Sequence, residues 1–142
     1  MDIAIDLDET IINNSMNGKW EIMGQAIKNL YHIQKMGYRF HLITARPSSQ
    51  LDDVARIVEQ IEKRLNIIFQ TITCTSYSEK SSSAHRLRCK VIIDDQYNLI
   101  RKSYEYGIQG VLFGTKTCSD SHMICCETWD DVKNYLLNFK NQ

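Results

Sequence analysis

The chain has 142 residues, 43% of them hydrophobic and 24% charged; this balance excludes wholesale disorder and, at roughly 100–200 residues per domain, leaves room for one domain rather than two. Lysine plus arginine and aspartate plus glutamate both total 17, so no global field draws the protein to nucleic acid or to an anionic lipid surface. The longest apolar runs, 123–126 and 91–93, fall far short of the roughly 18 residues a membrane span needs.

Residues 1–7 read as a strand, with Ile3, Ile5 and Leu7 on one face and Ala4 keeping the other apolar, the pattern of a central strand. Ile22, Met23, Ala26, Ile27, Leu30 and Ile33 recur at three and four residues and mark an amphipathic helix that Gly37 terminates in the left-handed conformation. The second strand is 38–43. Beyond Pro47, Ser48 or Ser49 caps a helix whose apolar stripe is Leu51, Val54, Ala55, Val58, Ile61 and Leu65. Residues 67–73, rich in β-branched side chains, form the third strand. The polar stretch 73–83 is a loop, leading into a short helix over 80–88. A short apolar strand, 90–93, then ends in Asp94-Asp95. A helix over 97–106, Gly107, a strand over 109–113 and a helix over 128–139 complete the chain. Trp129, Val132, Leu136 and Phe139 form the core stripe of that last helix.

Strand and helix in this rhythm predict an α/β fold: a doubly wound three-layer sandwich around a mostly parallel five-stranded sheet. Ligands of such sheets sit at the carboxyl ends of the strands, so the polar residues ending each strand matter most. They are Asp6 and Asp8, Thr44 with Arg46, the loop 74–80, Asp94 and Asp95, and Gly114-Thr115. The stretch 11–22 is long enough for a short flap and too short for a cap domain.

Four carboxylates, one hydroxyl and one lysine thus converge, a combination suited to phosphate chemistry. Carboxylates brought together repel and call for a cation, and an all-oxygen site of this kind favours Mg²⁺. Lys80 supplies a point charge and Thr44 a hydroxyl for phosphoryl oxygens. Lys90 leads directly into a strand, which favours Lys80 for this role. Arg46 either clamps an anionic group of the substrate or, with Pro47, shapes the start of the helix.

The five cysteines, odd in number and irregular in spacing, read as reduced, partly buried thiols rather than a disulfide framework. Cys118, His122, Cys125 and Cys126 match no usual structural zinc site. His32, His41 and His85 fall within elements as surface or packing residues. Asn13, Asn14 and Asn17 of the flap are either substrate contacts or, the favoured reading, turn residues; Trp20 either stacks on a base or, the favoured reading, covers the core edge. Met1 is followed at once by a strand carrying Asp2 and Asp6, without the basic start and apolar stretch of a secretory signal, so a cytoplasmic location is expected.

The order Asp6-Leu7-Asp8-Glu9-Thr10, Thr44, Lys80, Asp94-Asp95 resembles the four ordered motifs of the haloacid dehalogenase superfamily of aspartate-nucleophile phosphatases, over residues 1 to about 115. The string DLDET is also similar to the start of phosphatases acting on the polymerase carboxy-terminal domain. Ile43-Thr44-Ala45-Arg46-Pro47 is similar to nucleotidase-type and polynucleotide-phosphatase-type members. The resemblance implies a single capless hydrolase domain over 1–142, cleaving a phosphomonoester with Mg²⁺ through an aspartyl-phosphate. It makes Asp6 the nucleophile and Asp8 the general acid, then the base for the hydrolytic water. It gives Mg²⁺ to Asp6, the main-chain carbonyl of Asp8 and Asp94, with Asp95 as a second ligand or orienting group. Thr44 and Lys80 hold the phosphoryl group, and Thr10 braces the loop after the nucleophile. A small phosphorylated substrate, nucleotides first, is expected ahead of a macromolecule. The alternatives are a nucleic-acid end or phosphoprotein, with homo-oligomerisation completing an open site, and a non-catalytic or receiver-type phosphate-binding protein. In a receiver domain the acidic pair ends the first strand and the lysine comes last, the reverse of the order here.

Overall fold

Ile3 and Ile5 of the first strand, β1 (Asp2–Ile5), enter one buried cluster and Ala4 the other, so β1 is apolar on both faces, as a central strand must be. A computed structural model describes residues 1–139 of the chain. After β1 come a hairpin of β2 (Ile12–Asn14) and β3 (Trp20–Ile22), then α1 (Gly24–Lys35), β4 (Arg39–Thr44), α2 (Leu51–Leu65) and β5 (Phe69–Cys74). The second half runs α3 (Lys80–Arg86), β6 (Val91–Asp94), α4 (Tyr97–Ser103), β7 (Gln109–Phe113), β8 (Met123–Cys126) and α5 (Trp129–Phe139).

All sheet pairings apart from the hairpin are parallel, in the order β5-β4-β1-β6-β7-β8. The chain works outward from β1 to one edge, returns to its other side at β6, and works outward again. The junction of β1 and β6 is therefore the topological switch point, the place where such sheets open a crevice for ligands. Ala26, Leu30 and Ile33 of α1, Val54, Val58 and Ile61 of α2, and Trp129, Val132 and Leu136 of α5 pack with Ile3, Ile5 and Ile93 on one face. Ala84 of α3 and Leu99 and Ile100 of α4 cover Ala4 and Ile92 on the other. Gly110 permits the close seating of α4 on β7, since a Cβ there would lie 2.5 Å from Cγ2 of Ile100.

The sheet has six strands where five were expected, because Met123–Cys126 adds a parallel edge strand beside β7. The stripe of α2 is Val54, Ile57, Val58, Ile61 and Leu65, while Leu51 and Ala55 face solvent. Neither Ser48 nor Ser49 caps that helix. Both lie in a short 3₁₀ turn, and Gln50 occupies the cap position without a side-chain bond. Gly37 follows α1 with φ of 102°, the left-handed stop its position implied. Cys118 and Cys125 are joined as a disulfide, which corrects the all-thiol reading: residues 114–122 fold back beside β8 and bring the two Cα atoms to 5.6 Å. His41 is buried and polar in its contacts, its ring nitrogens meeting Asp2 Oδ1 and Thr71 Oγ1, each at 2.8 Å. No helix of the described residues is long and apolar enough to cross a membrane.

Candidate active site

Asp6 follows the last residue of β1, and its backbone N–H extends the pairing to β6 by donating to the Ile93 carbonyl at 3.0 Å. Asp94 ends β6. Because β1 and β6 are neighbours, residues 88 positions apart in sequence are placed side by side at the switch point. Lys80 opens α3 and reaches between them. Its Nζ donates to Asp6 Oδ1 and to Asp94 Oδ2, both at 2.8 Å, with the lysine side chain 1% exposed. The Tyr77 ring centroid lies 5.4 Å from the same ammonium.

The loop after Asp6 is tightly wound. The Leu7 carbonyl accepts from the N–H groups of Ile11 and Ile12, and Glu9 sits at φ of 60°, a left-handed conformation that a residue with a Cβ rarely takes. Thr10, wholly buried, donates its hydroxyl to Asp6 Oδ2 at 3.3 Å. Thr44 ends β4 beside β1. It is also fully buried, and its Oγ1 accepts the Arg46 N–H at 3.2 Å. Asp8 points to a different partner from Asp6. Arg46 grips it with two bonds, Nε to Oδ2 at 2.9 Å and Nη2 to Oδ1 at 2.7 Å, while Asn14 Nδ2 donates to Oδ1 at 2.7 Å. A cleft of about 250 Å³ opens over these groups, lined by Asp6, Asp8, Glu9, Arg46, Tyr77 and Asp95.

Asp6, Asp94 and Asp95 can each offer an oxygen within 4.8 Å of the others. Three carboxylates face a single ammonium, so the cluster carries surplus negative charge. Without a cation, protons relieve it: burial first, then the neighbouring Asp94, push Asp6 up to about 7 against the pull of Lys80. Burial and Asp94 likewise raise Asp95 to about 6. Lys80 stays charged, since Asp6 and Asp94 outweigh the cost of its burial. Burial would also raise Asp8, but the hydrogen bonds from Arg46 and Asn14 outweigh it and hold Asp8 below the ordinary carboxylate range. Hard, clustered oxygen donors with unneutralised negative charge fit a divalent cation such as Mg²⁺. The carboxylate of Asp8 stands outside the cluster and is engaged by Arg46.

The sequence-expected residues Asp6, Lys80, Asp94 and Asp95 are thus brought into one group, with Asp8 and Arg46 paired beside it across the cleft. Asn14, Glu9 and Tyr77 are the additional residues at the site. Glu9 lies inside the first motif and Asn14 in the flap weighed above as a substrate contact, but their bonds to one another and to Asp8 come from the fold of the hairpin; Tyr77, over the Lys80 ammonium, left no sequence signal.

No protein-family model matches the chain, and no curated protein matches it in sequence. Solved structures do. D,D-heptose 1,7-bisphosphate phosphatase from B. bronchiseptica, in complex with magnesium and phosphate, superposes with a TM-score of 0.75 at 12% identity, over 97% of this chain and 98% of that one. A Had-superfamily hydrolase from Ehrlichia chaffeensis gives 0.68 at 10% identity, over 98% and 97%. The 3-deoxy-D-manno-octulosonate 8-phosphate phosphatase from Moraxella catarrhalis, with magnesium, phosphate and its sugar acid, gives 0.62 at 18% identity, over 99% and 86%. The chain shares the α/β fold of these structures over nearly its whole length, with no inserted domain among the described residues.

Proposed function

We propose that the protein is a capless, single-domain phosphomonoester hydrolase that works with Mg²⁺ through an aspartyl-phosphate. One observation carries the reading: buried Lys80 bonds Asp6 and Asp94 at the switch point, with Asp95 alongside and Asp8 across the same cleft. Asp6, Asp94 and Asp95 would hold the cation, which when bound neutralises charge on the carboxylates and on the phosphoryl oxygens.

The chain's own residues do the rest. A carboxylate oxygen of Asp6 forms a bond to phosphorus as the ester P–O bond breaks; Asp8, ionised while Arg46 grips it, takes up a proton as Arg46 turns to the substrate and gives it to the departing alkoxide, which leaves as the alcohol. Asp8, now a carboxylate, takes a proton from water as the water oxygen attacks the aspartyl-phosphate. Inorganic phosphate leaves, Asp6 regains its carboxylate and Asp8 its proton. Lys80 fixes Asp6 for attack and offsets its charge, and Thr44 and Lys80 support the phosphoryl oxygens. The small cleft and the phosphorylated sugars named for two of the structural neighbours support a small phosphoester, a nucleotide or a sugar phosphate, as the substrate.

The test is hydrolysis of a generic aryl phosphate with Mg²⁺ and with chelator, in the parent protein and in Asp6→Asn. Metal-dependent turnover that the substitution abolishes is expected. Equal turnover in the two proteins refutes Asp6 as the nucleophile.

A further inference from the structure

We propose that Asn14, at the tip of the hairpin, is the positioning residue for Asp8. This rests on the phosphatase reading above and names a part of its machinery that lies outside the four ordered motifs.

The bonds around Asp8 are unequal in what they allow. Arg46 takes both carboxylate oxygens, Oδ2 through Nε and Oδ1 through Nη2. Each carboxylate oxygen accepts two bonds, and Arg46 Nη2 and Asn14 together fill Oδ1, so Oδ2, bonded to Arg46 Nε, is the oxygen left to carry a proton toward a leaving group. Asn14 takes Oδ1 alone, at 2.7 Å. Proton transfer therefore runs through Oδ2, and when the guanidinium turns from that oxygen to a substrate, the amide of Asn14 on Oδ1 is the contact that keeps Asp8 aimed. The phosphoryl oxygens of a substrate in the cleft that Arg46 and Asp8 both line are the competing acceptors for the guanidinium.

Asn14 is built to outlast that exchange. Its backbone N–H donates to Glu9 Oε1 at 3.2 Å, a tie to the loop after Asp6 that does not depend on the guanidinium. It pairs with Trp20 across the hairpin, and Ser15 bonds Lys19 to close the turn. The side chain is exposed and no part of the apolar core rests on it, so the amide has no packing duty. The same two-residue link makes the hairpin part of the catalytic machinery, since any displacement of 12–22 moves the group that aims Asp8.

The test exploits leaving-group chemistry. Departure of an alkoxide needs a proton in the transition state, whereas departure of a nitrophenolate does not. In Mg²⁺-loaded Asn14→Ala, kcat/KM for a simple alkyl phosphate is expected to fall by about tenfold or more, a part of what general acid catalysis contributes. For p-nitrophenyl phosphate it should stay within about threefold, and inhibition by inorganic phosphate should be unchanged. Asn14→Asp, which removes the donor and sets a like charge against Asp8, should show the same selective loss. Equal losses on both esters, or none on either, overturn the proposal while Asp6-dependent hydrolysis stands. Absence of Asp6-dependent hydrolysis overturns the phosphatase reading and this inference with it. Thermal melting of both variants separates selective loss from misfolding; should Asn14→Ala melt early, the selectivity of Asn14→Asp decides.

Discussion

Trp129 Nε1 donates a 2.7 Å hydrogen bond to the carbonyl of Thr10, joining the first turn of α5 to the loop that carries the candidate nucleophile. Both residues are almost fully buried, and the indole also packs against Phe113 with ring centroids 5.3 Å apart. The core stripe of the last helix thus sets the position of the strained loop that carries the candidate nucleophile, at the other end of the chain. Trp129→Phe keeps most of the packing and leaves the Thr10 carbonyl unpaired. It is expected to cost about 1–3 kcal/mol in denaturant unfolding, the desolvation penalty of an orphaned buried acceptor, and to lower kcat more than it raises KM. Unchanged stability and turnover would show that the bond holds nothing in place.

Lys80 is the hinge between charge balance and chemistry. Replacing it with Met removes the one cation from two buried carboxylates, so the metal-free variant is expected to lose roughly 3–5 kcal/mol, the cost of breaking a buried pair. A divalent cation can take over that charge. Mg²⁺ should therefore raise the melting temperature of Lys80→Met by more than it raises the parent's, although hydrolysis stays abolished. The two melting shifts, measured side by side, decide the point; an equal shift in both proteins would mean that lysine and metal act on different carboxylates.

The site was legible because its parts lie at strand ends in a fixed order. Asp6, Lys80 and Asp94 could be placed together from periodicity and parallel topology alone, before any distance was known. The pairing of Asp8 with Arg46 was not. An ion pair between residues 38 apart leaves no periodic trace, and Arg46 read equally well as a phosphate clamp. The sixth strand was hidden for a similar reason. Met123–Cys126 is an apolar run bounded by polar residues, but at four residues, with Ile124 its one β-branched side chain, its periodicity does not tell a strand from a buried turn of helix. On α2 the sequence period admitted two neighbouring stripes, and only the sheet's position chose Ile57 over Ala55. Asp2, Arg39, His41 and Thr71 were separate polar residues in the sequence, joined only when β1, β4 and β5 lie side by side.

The pairing of Cys118 with Cys125 leaves Cys74, Cys89 and Cys126 as free thiols. Thiol titration of the denatured, unreduced protein is expected to count three groups, against five after reduction. Cys118→Ser should cost about 2 kcal/mol, since the closed loop is short, and residues 114–122 should be cleaved faster by protease. Five thiols without reductant would return the chain to the all-thiol reading.

Burial and crowding of the acidic cluster set an unusual pH dependence. Asp6 is raised to about 7 and Asp95 to about 6, both above the ordinary aspartate value of 3.8. Between about pH 4 and 7 the metal-free folded state holds protons that the unfolded chain has released, so its stability falls as pH rises through that window. Asp2 works in the opposite sense: its bonds from Arg39, then His41, depress it, so the stability it contributes is lost as pH falls below the ordinary carboxylate range. The metal-free melting temperature is therefore expected to peak in mild acid and to decline toward neutrality. Mg²⁺ competes with those protons for the same carboxylates, so its stabilising effect should grow from pH 5 to pH 7.5, reaching about 2.7 kcal/mol at a hundredfold excess over Kd. Calorimetric scans with chelator and with Mg²⁺ at each pH measure both trends. A metal-free melting temperature that climbs steadily to neutrality, or an Mg²⁺ shift indifferent to pH, would place the cation away from Asp6 and Asp95.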